Sequence, residues 1–204
     1  MANVKIYIDY WNLQLAWNRH MSPNKPTPEN PAIRLAWQNL PTVLLSELPK
    51  IFGPGMPLTH KGTQVYASVQ PQGHAGKEPA AFRTWLRSGL GQMTGFRISV
   101  HERKPKKDDC PLCKKPIHRT VEKGVDTSIV TDLFAGALND SYDIAILFSN
   151  DSDFVPAIAT IQDRLNKQII HAGFNMGADA VRTAAWGHIV LDGTVADSLK
   201  QAAV

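Results

Sequence analysis

Ile144-Ala145-Ile146-Leu147-Phe148 constrains the fold more than any other stretch of this sequence. A continuous apolar run that ends in Ser149-Asn150-Asp151-Ser152-Asp153 suits a strand buried on both faces. Such strands belong to parallel sheets covered by helices. The rest of the chain supplies the alternation that this sheet needs. Val4-Lys5-Ile6-Tyr7-Ile8 predicts a first strand, Thr63 to Val69 a second, and the alternating Phe96, Ile98 and Val100 a third. Later strands are expected over 142–149, 167–172 and 188–191. Ile33, Trp37, Leu40, Leu44, Leu48 and Ile51 recur at helical spacing, with a break expected at Pro41. Phe82, Trp85, Leu86 and Leu90 mark a helix from near Glu78. Val125, Ile129, Leu133 and Ala137 mark another over about 125–139. Further helices are expected over 153–165, 177–185 and from about 194, and Pro23, Pro26, Pro28 and Pro31 make 21–31 a loop. Strands alternating with helices give an α/β chain with a mostly parallel sheet and helices on both faces. At 204 residues it reads as a single domain, 1–204, with one insertion.

That insertion carries the charge. Residues 103–123 hold 8 Lys or Arg against 3 Asp or Glu, while the rest of the chain holds 14 against 15. All the net positive charge therefore sits in one segment, and a local patch of this kind attracts phosphate backbones or is simply a solvated loop. No apolar run approaches the roughly 18–20 residues of a membrane helix. The N-terminus lacks signal-peptide organisation and runs straight into a strand, so a cytoplasmic protein is expected.

In a parallel α/β sheet the site lies beyond the carboxyl ends of the strands, near the point where strand order reverses. Acidic residues fall where that rule puts them. Asp9 ends the first strand, with Asn12 three residues on; Asp126 opens a helix; Asp151 and Asp153 follow the apolar run. Asp, Asn and Ser also favour helix N-termini, where they cap free N–H groups, and each residue alone has that reading. Together they form a cluster whose mutual repulsion calls for a cation. Oxygen-only ligands suit Mg²⁺ or Mn²⁺. None of the seven histidines falls in these segments, which argues against a metal-free, histidine-dependent mechanism.

The Asp9-x-x-Asn12 element, Lys123-Gly124-Val125-Asp126 and Ser149-Asn150-Asp151-Ser152-Asp153-Phe154 resemble the three signatures of the NYN domain family. This family belongs to the PIN-like nucleases, and the chain is most similar to its LabA-like bacterial branch, from Val4 to about Val190. The resemblance implies a Rossmann-like PIN fold and a metal-dependent ribonuclease that cuts RNA by water attack; single-stranded RNA and endonuclease action are expected, while the sequence itself separates neither RNA from single-stranded DNA nor endonuclease from exonuclease. It also implies that Asp9, Asp126, Asp151 and Asp153 hold Mg²⁺ or Mn²⁺ as the catalytic acids and that Asn12 positions substrate. Asp132 matches a further family position, as a supporting acid or a surface residue. Two departures stand out: Asn150 replaces the usual glycine, and Trp11 replaces a small residue. Trp11 is a candidate for stacking on an unpaired base or for the core, and Trp37 and Trp85 are expected in the core. A non-catalytic module that binds RNA or a partner is the alternative. Toprim, dehalogenase and receiver sites fit less well, because they need other acids around the first strand.

Within the insertion, Lys106, Lys107, Lys114, Lys115, Arg119 and Lys123 are the expected contacts to RNA. Cys110 and Cys113, the only two cysteines, form a CxxC pair in a charged loop, which suits metal better than redox chemistry. With His118 and His101 they would complete a tetrahedral zinc site, the alternative being inert thiols.

Overall fold

The computed structural model describes residues 1–22, 33–71, 77–109, 111–174 and 179–202. In chain order its elements are β1 (Ala2–Asp9), α1 (Tyr10–Met21), β2 (Ile33–Leu35), α2 (Leu40–Phe52), β3 (Leu58–Val69), α3 (Lys77–Ser88) and β4 (Phe96–Glu102). Then come β5 (Lys104–Asp109), β6 (Pro116–Val121), α4 (Val125–Leu138), β7 (Ile144–Phe148), α5 (Val155–Leu165) and β8 (Gln168–Gly173). The chain closes with α6 (Asp179–Ala184), β9 (Gly187–Val190), α7 (Gly193–Asp197) and β10 (Lys200–Ala202).

The main sheet has the order β4-β3-β1-β7-β8-β9, and all its pairs are parallel. All 5 residues of β7 are buried, as a strand covered on both faces must be. Period-two alternation divides the interior into two layers. Ile6, Ile8, Ile146 and Phe148 pack under Leu13 and Trp17 of α1 and Leu40, Leu44 and Leu48 of α2. Tyr7, Ala145 and Leu147 face Ile129 and Leu133 of α4 and Ile158 and Ile161 of α5. Trp37 and Trp85 join the first layer, as their helical positions predicted. Strand order runs outward from β1 through β3 to β4, then resumes on the other side at β7. The reversal lies between β1 and β7, whose carboxyl ends carry Asp9 and Ser149 to Asp153.

Several expectations change. Residues 33–35 form a strand paired with β10, not the start of a helix. Pro41 does not break the helix but stands in the first turn of α2, where its missing N–H costs nothing. A helix expected from 194 stops at Asp197, and the chain turns into β10. Helix α1 had no counterpart in the sequence reading. Most of the expected 21–31 loop lies outside the described residues. The basic insertion is an ordered antiparallel hairpin, with β5 and β6 in register from Lys104↔Val121 at its base to Asp109↔Pro116 at its tip. Among the described residues, no helix is long and apolar enough to cross a membrane.

Candidate active site

Asp9 is 3% exposed and ends a buried strand, so its carboxylate must find partners. It accepts hydrogen bonds from the backbone N–H of Trp11 (3.1 Å) and Asn12 (3.2 Å), capping α1, and from Asn12 Nδ2 at 2.6 Å. The Asn12 amide oxygen in turn accepts from the backbone N–H of Asn150 at 3.3 Å. One asparagine thus ties the end of β1 to the end of β7, across the reversal point.

Asp126 is held differently. Gly124, at φ 89°, takes a left-handed conformation that a residue with a Cβ rarely adopts, and it starts α4 so that Asp126 falls in the first turn. Asp151 caps the turn that follows β7, accepting from the Asp153 N–H at 3.0 Å, while Asp153 is exposed. Asp9 and Asp151 thus accept capping hydrogen bonds, at the start of α1 and of the turn after β7, while Asp126 makes no side-chain cap.

The acids act on one another. Burial pushes the Asp9 carboxyl up to about 6, against the lowering effect of its bonds to Asn12, and the charges of Glu122 and Asp126 raise it further. Asp126 is raised by burial, then by Asp151, Glu122 and Asp153. Five carboxylates from three chain segments thus share one field. Glu122 was absent from the expected site. It borders a cleft of about 230 Å³ together with Asp9, Trp11, Asn12, Arg19 and Asn150. Asn12 and Arg19 lie seven apart on α1, at the spacing of one helical face, so a helix assigned there would have exposed Arg19 to sequence reasoning. A larger depression of about 350 Å³, bordered by Glu47, Lys50 and His188, contains none of the expected site residues, and its Glu47 and Lys50 pair with each other at 2.6 Å.

Trp11 stands at the rim, half-buried. Its Nε1–H donates to the Ser68 carbonyl at 2.9 Å, and its ring packs against Tyr10 and Phe82. The Arg103 guanidinium lies over that ring, 5.4 Å from its centre. Arg103 also donates to Ser68 Oγ at 3.0 Å and pairs with Glu122 at 3.7 Å, while Ser68 Oγ donates to Glu122. Arg103 and Glu122 flank the hairpin, so its base is joined to the cleft. Asp132 lies away from it. Its carboxylate accepts from Tyr66 at 2.6 Å and its carbonyl from Tyr7 at 3.2 Å, which pins α4 to the sheet.

On the hairpin, Arg119 and Lys106 both pair with Asp108, at 2.5 and 3.4 Å. Lys107, Lys114, Lys115 and Lys123 are exposed. Of the four expected zinc ligands, the structure describes the side chains of two, Cys113 and His101. Cys110 and the side chain of His118 lie outside the described residues, and Cys113 is an exposed thiol at the tip. His101 sits beyond the base, 3.1 Å from Ser99 Oγ and against Gly124. A hairpin strand of this length spans about 20 Å, which separates His101 from Cys113.

The oxygen donors at the cleft, the Asp9 and Glu122 carboxylates and the Asn12 and Asn150 amides, are of the kind a hard divalent cation takes, with Arg19 as a cation in the same lining and Asp126, Asp151 and Asp153 beyond it. Among the described residues, no group of three or more His, Cys, Asp or Glu side chains is close enough to hold a metal ion without rearrangement.

A family model of the NYN domain matches residues 60–192. The match takes in Asp126, Asp151 and Asp153 and leaves Asp9 outside. Among solved structures, the chain is similar to a protein of unknown function from Vibrio parahaemolyticus, with a TM-score of 0.58 and 16% identity over 98% of this chain and 96% of that one. That likeness speaks to the fold alone. No curated protein matches the chain.

Proposed function

Because the chain belongs to the NYN domain family, a group of PIN-like nucleases, we propose that it is a metal-dependent endoribonuclease acting on single-stranded RNA. The observation that carries this reading is the shared field of Asp9, Glu122, Asp126, Asp151 and Asp153 at the reversal point of the sheet. Asp9, Asp126, Asp151 and Asp153 would hold Mg²⁺ or Mn²⁺, directly or through water. Such an ion, once bound, lowers the pKa of water and offsets charge on a phosphate. Asn12 keeps the Asp9 carboxylate and the end of β7 in fixed relation. The hairpin cations draw the RNA backbone toward the cleft, and Arg19 offers a charge on its far wall. Ser68 is fully buried, which keeps its hydroxyl from a substrate phosphate and leaves water to attack.

The proposal extends to a cytoplasmic location, since a CxxC pair in a charged segment suits a reducing compartment, and to the LabA-like branch. It also keeps zinc at the hairpin tip, on Cys110, Cys113 and His118. One equivalent of zinc in the purified protein, lost in Cys110→Ser, supports that part, and metal-free wild type ends it.

The decisive experiment is cleavage of end-labelled single-stranded RNA and DNA with Mn²⁺, Mg²⁺ or EDTA, beside an Asp151→Asn/Asp153→Asn variant. Ion-dependent cutting of RNA that disappears in the folded variant is the expected result. A second reading, an RNA-binding module without turnover, is favoured by the capping roles of Asp9 and Asp151 and by the spread of the acids. Salt-dependent RNA binding without cutting of any substrate selects it.

A further inference from the structure

Asn150 occupies the position where the family's signature usually has glycine, and the structure shows what the larger residue meets. Its Oδ1 faces Nε2 of His171 at 3.2 Å. His171 is only 2% exposed, on β8 beside β7, and its Nδ1 is buried without a hydrogen-bond partner. With the amide oxygen facing the ring, the pairing calls for a hydrogen on Nε2. Gly173 makes room for the pair, because a Cβ there would lie 2.9 Å from the His171 ring and 3.3 Å from Asn150 Oδ1. The backbone N–H of Asn150 is held by Asn12 at 3.3 Å. Asn150 is therefore fixed at its backbone and at its amide oxygen, while it borders the cleft that Asp9 and Glu122 share. The end of the side chain left without a protein partner among the described residues is Nδ2.

We propose that Asn150 is a substrate-binding residue whose Nδ2 hydrogens bond the sugar–phosphate backbone of RNA in the cleft, and that His171 is a positioning residue that sets the orientation of that amide. This rests on the nuclease reading above. An uncharged donor suits the place. A lysine or arginine would collapse onto the carboxylates, and a further carboxylate would repel both them and the phosphate.

The test combines spectroscopy with kinetics on the full chain. Long-range ¹H–¹⁵N correlation should show His171 as the Nε2–H tautomer in the wild type. With a single-stranded oligoribonucleotide as substrate, Asn150→Gly and His171→Phe should each raise KM roughly fivefold, with kcat within about twofold. His171→Gln, which keeps a donor, should restore KM. The Asn150→Gly/His171→Phe double variant should lose no more than either single one, as expected of residues acting as a unit. A wild type that cuts RNA beside an Asn150→Gly variant with unchanged KM overturns this proposal and leaves the nuclease intact. A wild type that neither binds nor cuts RNA overturns both. An Nδ1–H tautomer overturns the positioning role of His171 whatever the kinetics.

Discussion

The acidic cleft and the basic hairpin meet at Arg103 and Glu122, yet they are built on opposite principles. The cleft stands on β1 and β7, strands whose side chains leave almost no surface exposed. Asp9 and Asp151 are held by backbone N–H groups, Asp9 also by Asn12, and burial raises the proton affinity of Asp9 and Asp126. The hairpin is exposed along β5, held by its own ladder and by the Asp108 ion pairs in open solvent. Charges in the cleft are costly and fixed, whereas those on the hairpin are inexpensive and adjustable. A rigid frame suits the part that must place a phosphate within fractions of an ångström, and an exposed arm suits the part that need only attract one.

The largest effect expected from breaking this contrast is chemical. Asp151→Asn/Asp153→Asn should lower RNA cleavage roughly a thousandfold with circular dichroism unchanged, while no single hairpin cation should matter nearly so much. Next comes stability. Ile146→Ala, at a fully buried position of β7, should cost about 2–5 kcal/mol in urea unfolding. Replacing residues 104–121 by a short Gly-Ser turn should cost about 1 kcal/mol or less. Comparable losses from the two changes would mean that the arm is part of the core.

A subtler pair of effects concerns pH in metal-free protein. Asp9 is raised to about 6 in the fold, from 3.8, so the folded state binds its proton more tightly and Asp9 contributes stability that is lost as pH climbs from about 4 to 6. His171 is lowered to about 4, from 6.5, by burial first and then by the charges of Arg182 and His188. Its contribution runs the other way, present above pH 6.5 and lost as pH falls toward 4. The two oppose each other between pH 4 and 6. Asp9→Asn, which keeps a capping side chain, should stabilise the protein at pH 7 by up to about 2 kcal/mol and steepen its loss of stability in acid. His171→Gln should flatten or reverse that loss. Denaturant midpoints at pH 4.5 and 7 in EDTA read both.

The smallest effect sharpens the view of the hairpin itself. Lys107→Ala should reduce the salt dependence of RNA binding by roughly 0.7 in log–log slope. Lys106→Ala should reduce it less, because Asp108 already pairs with that lysine. Equal slopes for the two variants would show that the Asp108 pairs break when RNA binds.

Much of the site was legible from local sequence. Asp9, Asp126, Asp151 and Asp153 each follow a strand or open a helix, so their neighbours in the chain announce them. Glu122, Arg103 and His171 carried no such signal, and Arg19 only its helical spacing from Asn12. Glu122 enters the cleft because the hairpin returns the chain to Ser68, and His171 because β8 lies beside β7, partnerships 54 and 21 residues apart. His101 stands beyond the base of the hairpin and Cys113 at its tip, a separation that proximity in sequence does not reveal. Pro41 and the β2–β10 pair misled in another way, since a helical period in Ile33 and Trp37 does not reveal that a strand from the chain's end will pair there.

By itself, then, the sequence determined the parallel sheet, through an apolar run that can be stable only when both its faces are covered, and it set the acids at the strand ends. Tertiary structure decided which strands became neighbours, and so which further side chains share the field of those acids. The physical reason is range. Burial patterns, caps and turns act over a few residues and are written locally, whereas the field in the cleft depends on distances between segments that only the closed sheet fixes.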